Sequence, residues 1–322
     1  MFDARPLDLP LFRGFIAAAF DHPAVTAALR DLPGLLSSPV AEVLHSGRNK
    51  IIVIRLPPAE RPSPMKSGRS TASGPDPGAR PISGFSGVKS ATPDSPSFSR
   101  DSLEAVVKIF GARGFHKLKT LVLPSKGIRA WRGAVALGEG GFETPGPIAA
   151  FERRRFGVAA ESVFIAERIR GSREIRALFR ELPEPDLRRL IESLAPVLAG
   201  LHRAGLVHRD LSDGNILVSG PSADLTAASS SSGFRFFFLD TNRVRRRRFL
   251  GVFARARNLV RLGLPESFRV FLLDQYALAA GPAFPRSRFG FYYRAAKRSF
   301  EFWLGFKKAI RLRAIARKLG LQ

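Results

Sequence analysis

The sequence predicts an α+β fold of two lobes, a small antiparallel β-rich lobe followed by a larger helical lobe. Short runs rich in β-branched residues, of which residues 51–56 are the clearest, predict strands before residue 170. Over residues 185–204, apolar residues recur every three or four positions, which predicts one buried helix face. The chain has 322 residues and is 45% hydrophobic, enough for a sizeable core.

The chain divides into three parts in order, and the second contains an insertion. Residues 1–38 form a lead segment, in which short helices are predicted over 11–20 and 24–32. Residues 39–168 are predicted to form the first lobe, and residues 169–322 the helical lobe. Within the first lobe, residues 57–100 are crowded with Pro, Ser and Gly and lack hydrophobic periodicity. Such a segment buries too little apolar surface to offset the entropy of ordering, and we predict a disordered insertion.

Composition narrows the possible partners. Lys and Arg number 52 against 27 Asp and Glu, a net charge of +25, which favours polyanionic partners. An Arg-rich background composition is the alternative explanation for this charge. Cys is absent, which excludes disulfides and a thiol nucleophile. The first residues lack the pattern of a secretory signal, and no stretch approaches 18 uninterrupted apolar residues, so no membrane-spanning helix is expected.

The strongest motif lies at residues 208–215, His-Arg-Asp-Leu-Ser-Asp-Gly-Asn. It matches the kinase catalytic-loop pattern H-R-D-L-x-x-x-N at every specified position. Phosphoryl transfer requires a carboxylate that accepts the proton of the attacking hydroxyl, a role we assign to Asp210. Asn215 supplies a neutral oxygen for Mg²⁺ on the same loop. His208 and Arg209 support the loop; Arg209 either pairs with an acidic or phosphorylated group or braces the backbone.

A second candidate metal ligand is Asp240, which ends an apolar run at residues 236–239. It follows Asp210 at the spacing at which a kinase places its main metal-binding Asp. The usual D-F-G reads Asp-Thr-Asn here, which puts the usual switching of the activation segment in doubt but retains the carboxylate. A strand-end Asp is otherwise a cap or turn residue. Arg243 follows closely and is a supporting residue.

Three segments are candidates for binding ATP. Lys108, within the run Ala-Val-Val-Lys, corresponds to the strand Lys that reaches the nucleotide phosphates; the alternative is a Lys that extends from a strand edge to solvent. Gly47 and Arg48 lie in a short loop that could cover phosphates, although an ordinary turn is nearly as compatible with it. Glu167 and Ile169 occupy the position of an interlobe hinge that binds adenine through its backbone.

One expected element is missing. The Glu that normally pairs with the phosphate-binding Lys should lie on the helix predicted over residues 125–138, where the natural position is Ala130. Glu139 or Glu143 could substitute for it. Otherwise Lys108 is held differently or activity is low.

These residues resemble the bacterial lipopolysaccharide kinase family, within the protein-kinase-like superfamily, over roughly residues 41–285 without the insertion. The catalytic loop is shared by many kinases, whereas Asp240 followed by Arg243 replaces D-F-G in this family. The other segments that carry the resemblance are Arg129-Ala130-Trp131-Arg132, the Gly-x-x-Thr-Pro-x-Pro run at 141–147, and the basic segment 257–262.

The resemblance implies ATP and Mg²⁺ as cofactors and a sugar hydroxyl of an anionic membrane glycolipid, such as Kdo or heptose, as acceptor. It also implies a location at the cytoplasmic face of the inner membrane. By resemblance, Asp210 is the base, Asn215 and Asp240 are metal ligands and Lys108 is a phosphate ligand. The alternatives are another small-molecule or protein kinase of this fold, a pseudokinase scaffold and, from charge alone, a basic nucleic-acid-binding protein; no motif for specific nucleic-acid binding is present.

The C-terminal tail, residues 296–322, is basic and interleaves aromatic and aliphatic residues with Lys and Arg. This composition is typical of a helix that lies on an anionic lipid surface. A terminal helix that packs its apolar side on the helical lobe explains the pattern equally well.

Overall fold

The computed structural model of the protein describes residues 3–46, 49–58, 102–111, 118–220 and 233–318. Nearly all of the predicted disordered insertion, residues 57–100, lies outside these ranges. Gly47 and Arg48, the predicted phosphate-covering residues, lie outside them as well.

The first lobe is built on a seven-stranded antiparallel sheet. Its strands are β1 (Ala4–Leu9), β2 (Phe12–Ala17), β3 (Glu42–Ser46), β4 (Asn49–Leu56), β5 (Leu103–Gly111), β6 (Pro147–Arg155) and β7 (Val158–Glu167). They are arranged in the order β1-β2-β6-β7-β5-β4-β3. The helices of this lobe are α1 (Pro23–Arg30), α2 (Leu32–Ser37) and α3 (Lys126–Glu139). The sheet and these helices enclose one apolar core, which includes Ile54, Phe151 and Ile165.

The helix predicted over residues 11–20 is wrong. Residues 12–17 form β2, which pairs with β1 on one side and with β6 on the other. Ile16 and Ala17 are buried in this position. A short apolar run does not distinguish a strand from a helix by periodicity alone, and pairing with the distant β6 decides the outcome. The helix predicted over 24–32 is present as α1.

The second lobe is mainly helical. Its helices are α4 (Ile175–Glu181), α5 (Glu184–Arg203), α6 (Val252–Leu259), α7 (Arg269–Ala280) and α8 (Arg286–Lys318). Its short strands are β8 (Arg173–Glu174), β9 (Leu206–His208), β10 (Ile216–Ser219), β11 (Arg235–Phe238) and β12 (Val244–Arg246). The predicted apolar face of α5 is buried, including Leu190, Leu194 and Leu198. The predicted α+β, two-lobed, protein-kinase-like fold is confirmed.

Helix α3 joins the two lobes. Trp131 and Ala134 are buried in the core of the first lobe, whereas Leu137 is buried in the core of the second. The Thr241 hydroxyl donates a hydrogen bond to the Ala130 carbonyl over 2.7 Å, which fixes the helix against the segment after Asp240. At Gly133, a Cβ atom would collide with the Thr241 carbonyl oxygen, so that only glycine permits this close approach.

We therefore expect Gly133→Ala to lower the free energy of unfolding by about 1–3 kcal/mol, because the added methyl group forces α3 away from residue 241. Gly290→Ala is the matched control. Gly290 also lies in a helix, but the nearest contact of an added Cβ there is the flexible end of Arg294, at 3.4 Å. The control should change stability by no more than about 1 kcal/mol, in the favourable direction. Guanidinium denaturation measures both, and equal stability of the two variants would contradict the close-approach argument.

Candidate active site

The backbone of Leu239 connects the two candidate loops. Its N–H donates to the Asn215 carbonyl over 2.9 Å, and its carbonyl lies 2.7 Å from His208 Nε2. Strands β10 and β11, which carry these loops, pair in antiparallel register from Ile216 opposite Phe238. The structure therefore brings Asp240 beside the loop of Asp210 and Asn215, as the motifs predict.

Asp240 has an unusual backbone conformation and two cationic neighbours. Its φ of 51° lies in the left-handed region, which Asp tolerates better than most residues but at some energetic cost. Lys108 Nζ lies 2.5 Å from its Oδ1, and Arg243 Nε lies 4.0 Å from its Oδ2. The strained turn thus aims the carboxylate at the β-rich lobe, where β5 presents Lys108.

The missing helix Glu is not replaced by either predicted substitute. Glu143 forms an ion pair with Arg235 at 2.7 Å, and Glu139 lies 3.8 Å from Arg246. Lys108 is instead held by Asp240 across the cleft between the lobes.

Asn215 is oriented by its amide nitrogen. Nδ2 donates to the Asp210 carbonyl over 2.8 Å and to Ser212 Oγ over 3.0 Å. This orientation leaves Oδ1 as the amide's acceptor, available to a cation.

These oxygens suit Mg²⁺, which takes few protein ligands and completes its shell with water and phosphate. Among the described residues there is no group of three or more His, Cys, Asp or Glu that could hold a metal ion on its own. A cation held by Asn215 and Asp240 would complete its coordination with water and phosphate oxygens.

Asp210 is paired with a residue to which the sequence analysis assigned no role. Arg261 Nη2 lies 2.9 Å from Asp210 Oδ1, and its guanidinium lies 5.7 Å from the centre of the Phe300 ring. The side chains of Arg261 and Asp210 are both partly exposed. Arg261 lies in the basic segment 257–262, but a contact between residues so far apart in sequence has no local signal.

His208 is a buried, neutral support of the catalytic loop. Its Nδ1 accepts a hydrogen bond from the Asp210 N–H at 3.3 Å, so that the proton resides on Nε2 and is donated to the Leu239 carbonyl. Burial lowers the pKa of His208, in keeping with the neutral form. Arg209, the other supporting residue, donates its N–H to the Arg243 carbonyl at 3.1 Å, where β9 pairs with β12.

A chain of buried polar side chains continues from His208 into the helices. Asn258 of α6 donates from Nδ2 to the His208 carbonyl over 2.8 Å, and its Oδ1 accepts from His202 Nε2 over 2.9 Å. His202 Nδ1 in turn accepts from the Tyr276 hydroxyl over 2.8 Å. Burial lowers the pKa of His202 to about 4 and raises that of Tyr276 to about 12. Every member is neutral and has partners, so the chain fixes α5, α6 and α7 to the catalytic loop.

The predicted hinge lies at the end of β7. Glu167 pairs with Ala105 of β5, three residues from Lys108 along the same strand, which places the hinge roughly 10 Å from the Lys. The Glu167 N–H donates to the Gly146 carbonyl at 2.9 Å. A cavity of about 670 Å³ adjoins the hinge and is lined by Glu167 and Ile169. Among the described residues, Lys108, Asp210 and Asp240 do not line this cavity.

Residues 117–269 match the sequence model of the lipopolysaccharide kinase (Kdo/WaaP) family. Over these residues the chain is similar to that family. It is a kinase, a phosphotransferase with an alcohol group as acceptor. The matched residues contain α3, the catalytic loop, Asp240 and Arg261.

Other comparisons add little to the family assignment. A solved structure described as WaaP in complex with acyl carrier protein is similar to this kinase, with 22% sequence identity and a TM-score of 0.44. The similarity covers 62% of this chain and 82% of that chain. The comparison with curated proteins gives no match.

The lowered pKa of His202 has a consequence for stability. In the unfolded chain a His has a pKa near 6.5, so between pH 6.5 and about 4 the unfolded state binds a proton that the folded state excludes. Stability should therefore fall as the pH falls through this window, by roughly 3 kcal/mol from this residue. Denaturation of His202→Gln should show a correspondingly weaker pH dependence. His45→Gln, which changes an exposed His of β3, should retain the wild-type dependence. Parallel curves for wild type and His202→Gln would refute this assignment.

Proposed function

We propose that this kinase transfers the γ-phosphate of ATP to a sugar hydroxyl of the lipopolysaccharide core, either Kdo or heptose, or of a related glycolipid. The observation that carries the proposal is the convergence of Asp210, Asn215 and Asp240 through the contacts of Leu239, with Lys108 paired to Asp240. The family supplies the class of acceptor.

In this proposal Asp210 accepts the proton of the sugar hydroxyl. Arg261 holds Oδ1 and so restricts the orientation of the carboxylate. A positioned general base of this kind contributes roughly 10²–10⁴-fold to a rate. His208 and Arg209 support the loop through their contacts with Leu239 and Arg243.

Asn215 and Asp240 are the proposed ligands of Mg²⁺, and Lys108 is the proposed ligand of the ATP phosphates. Bound Mg²⁺ supplies neutralisation of charge on the phosphates as the bond to the leaving group breaks. Asp240 holds Lys108 close to the metal ligands, so that the Lys108 ammonium and Mg²⁺ act on the same phosphates. The backbone at Glu167 and Ile169 is the proposed adenine site, and Gly47 with Arg48 the proposed cover of the phosphates.

The test is the transfer of labelled γ-phosphate from ATP to purified lipopolysaccharide core. Transfer should require Mg²⁺ and stop when EDTA is added. Asp210→Asn should lower kcat by roughly 10²–10⁴-fold, since it removes the base and preserves the shape of the side chain. Asp213→Asn is the matched control on the same loop. Asp213 pairs with Arg176 at 3.1 Å, and its loss should leave transfer within about tenfold of wild type.

Two outcomes would overturn parts of this proposal. Full activity of Asp210→Asn would refute the assignment of the base. Binding of ATP without transfer to the glycolipid would refute the acceptor and favour another kinase of this fold or a scaffold that does not transfer phosphate.

We further propose that α8 docks the kinase on the anionic cytoplasmic face of the inner membrane, where ATP and the glycolipid meet. In the described part of the chain, no helix combines the length and the apolar character needed to cross a bilayer. The first half of α8 packs on the helical lobe through Phe289 and Tyr293. Residues 301–310 are all exposed.

The exposed half of α8 carries both kinds of group that bind anionic lipid. Phe302, Trp303 and Phe306 are between 47% and 75% exposed and lie within five residues of one another on the helix. Lys307 lies 5.2 Å from the centre of the Trp303 ring, so that basic and aromatic groups share one surface. Anionic head groups attract the Lys side chains, and the rings gain by leaving water.

Replacing Phe302, Trp303 and Phe306 together by Ser should weaken binding to vesicles containing anionic lipid by roughly 100-fold, because each ring contributes on the order of 1 kcal/mol in the interface. Phe291→Ser is the matched control, since Phe291 is exposed on the packed half of the same helix. Vesicle sedimentation measures the effect. Equal binding by the triple variant and the control would refute docking through α8.

A further inference from the structure

Four arginines meet beside the catalytic loop. Arg209 follows His208 at the end of β9, and its N–H is bonded to the Arg243 carbonyl at 3.1 Å. Arg245 lies on β12, which pairs with β9. Arg129 belongs to α3, one helical turn before Gly133, at the face that packs on residue 241. We call Arg129, Arg209, Arg243 and Arg245 the arginine cluster.

The arginine cluster carries more positive charge than its surroundings offset. The pKa of Arg129 is lowered by burial and then by the charges of Arg245 and Arg243. Burial likewise lowers the pKa of Arg245, and the charges that act most strongly on it are those of Arg209 and Arg243. Among the described carboxylates, Asp240 is the one in ion-pair contact with a member of the cluster, at 4.0 Å from Arg243, and Lys108 already lies on its other oxygen.

The cluster also contains an unsatisfied donor. Arg129 Nε is buried and has no hydrogen-bond partner among the described residues. Arg245 is held in place, because its Nη1 donates to the carbonyls of Val244 and Asn242 over 2.8 and 3.2 Å. A preorganised group of partly buried cations with an unused N–H requires a ligand that supplies both negative charge and several acceptor oxygens.

A phosphate group meets this requirement. It presents three acceptor oxygens and close to two negative charges at neutral pH, and the guanidinium fork matches its geometry. We propose that the arginine cluster is a binding site for a phosphomonoester, distinct from the Lys108 side chain proposed to hold the ATP phosphates. Because Arg209 adjoins Asp210, the site lies next to the position where the acceptor hydroxyl must stand. If the proposed function holds, the ligand is a phosphate already present on the acceptor glycolipid. Free inorganic phosphate has the same chemistry and is the other possible source.

The first arm measures binding of inorganic phosphate to the full chain by calorimetry, at constant ionic strength set with chloride. The double variant Arg129→Gln with Arg245→Gln should bind phosphate at least about tenfold more weakly than wild type. Arg132→Gln, on the exposed side of α3, should bind it as wild type does. Lys108→Met should remain within about threefold, which separates this site from that of the ATP phosphates.

Stability distinguishes a ligand site from a structural role. Without phosphate, the double variant should unfold at the same or a higher denaturant concentration than wild type, because two partly buried like charges have been removed. A double variant that is less stable and binds phosphate as tightly as Arg132→Gln does would overturn the proposal.

The second arm identifies the source of the phosphate. Core glycolipid is compared before and after enzymatic removal of its phosphate groups. If the acceptor supplies the ligand, wild type should show a KM at least about tenfold higher for the dephosphorylated acceptor, whereas the double variant should not discriminate and its KM for ATP should be unchanged. Equal KM values for the two acceptors in wild type would assign the site to free phosphate. If neither acceptor is phosphorylated, the proposed function fails, and calorimetry still decides whether the cluster binds phosphate.

Discussion

The candidate active site depends on the backbone of one residue, Leu239. Its N–H is bound by the Asn215 carbonyl and its carbonyl by His208 Nε2, at 2.9 and 2.7 Å. These two bonds place Asp240, the next residue, beside the catalytic loop, with a backbone conformation that few residue types accept. The second bond requires His208 to carry its proton on Nε2, which the Asp210 N–H ensures by donating to Nδ1. The positions of both carboxylates therefore rest on the tautomer of one buried imidazole.

Burial keeps the His208 imidazole neutral, and it has the same effect on His202 in helix α5. A charged His at position 208 or 202 would have to be desolvated, and both pKa values are lowered mainly for this reason. Asn258 connects the two histidines by donating to one and accepting from the other. Helices α5, α6 and α7 are thus fixed to the loop by groups whose donors and acceptors match at every step. Such a network favours one arrangement of the loop, because any shift leaves a buried polar group without a partner.

The sequence predicted the fold, and it singled out the candidate site residues that the structure brings together, because both have local signals. The H-R-D-L-x-x-x-N motif, the strand before Asp240 and the periodic face of α5 are all short-range patterns. Arg261, Asn258 and the pairing of Lys108 with Asp240 were missed because each depends on residues far apart in the chain. Strand β2 was mistaken for a helix for a related reason, since its pairing with β6 is a long-range contact. The arginines of the cluster were visible one by one, but their convergence becomes apparent only when α3 packs on residue 241.

The packing of α3 on residue 241 also explains why α3 carries no Glu to pair with Lys108. A Glu at position 130 would lie where α3 is buried against the first lobe's core, and Ala130 instead gives its carbonyl to Thr241. Lys108 then takes Asp240 as its partner, so one carboxylate serves both the Lys and the proposed Mg²⁺. With Lys108 and Arg243 both close to Asp240, the local charge is positive even before the rest of the arginine cluster is counted. An acceptor that carries its own negative charge would be drawn to this surface, and α8 would present the same sign of charge to the membrane. Under the proposed function, these basic residues lie where an anionic glycolipid would be bound and oriented.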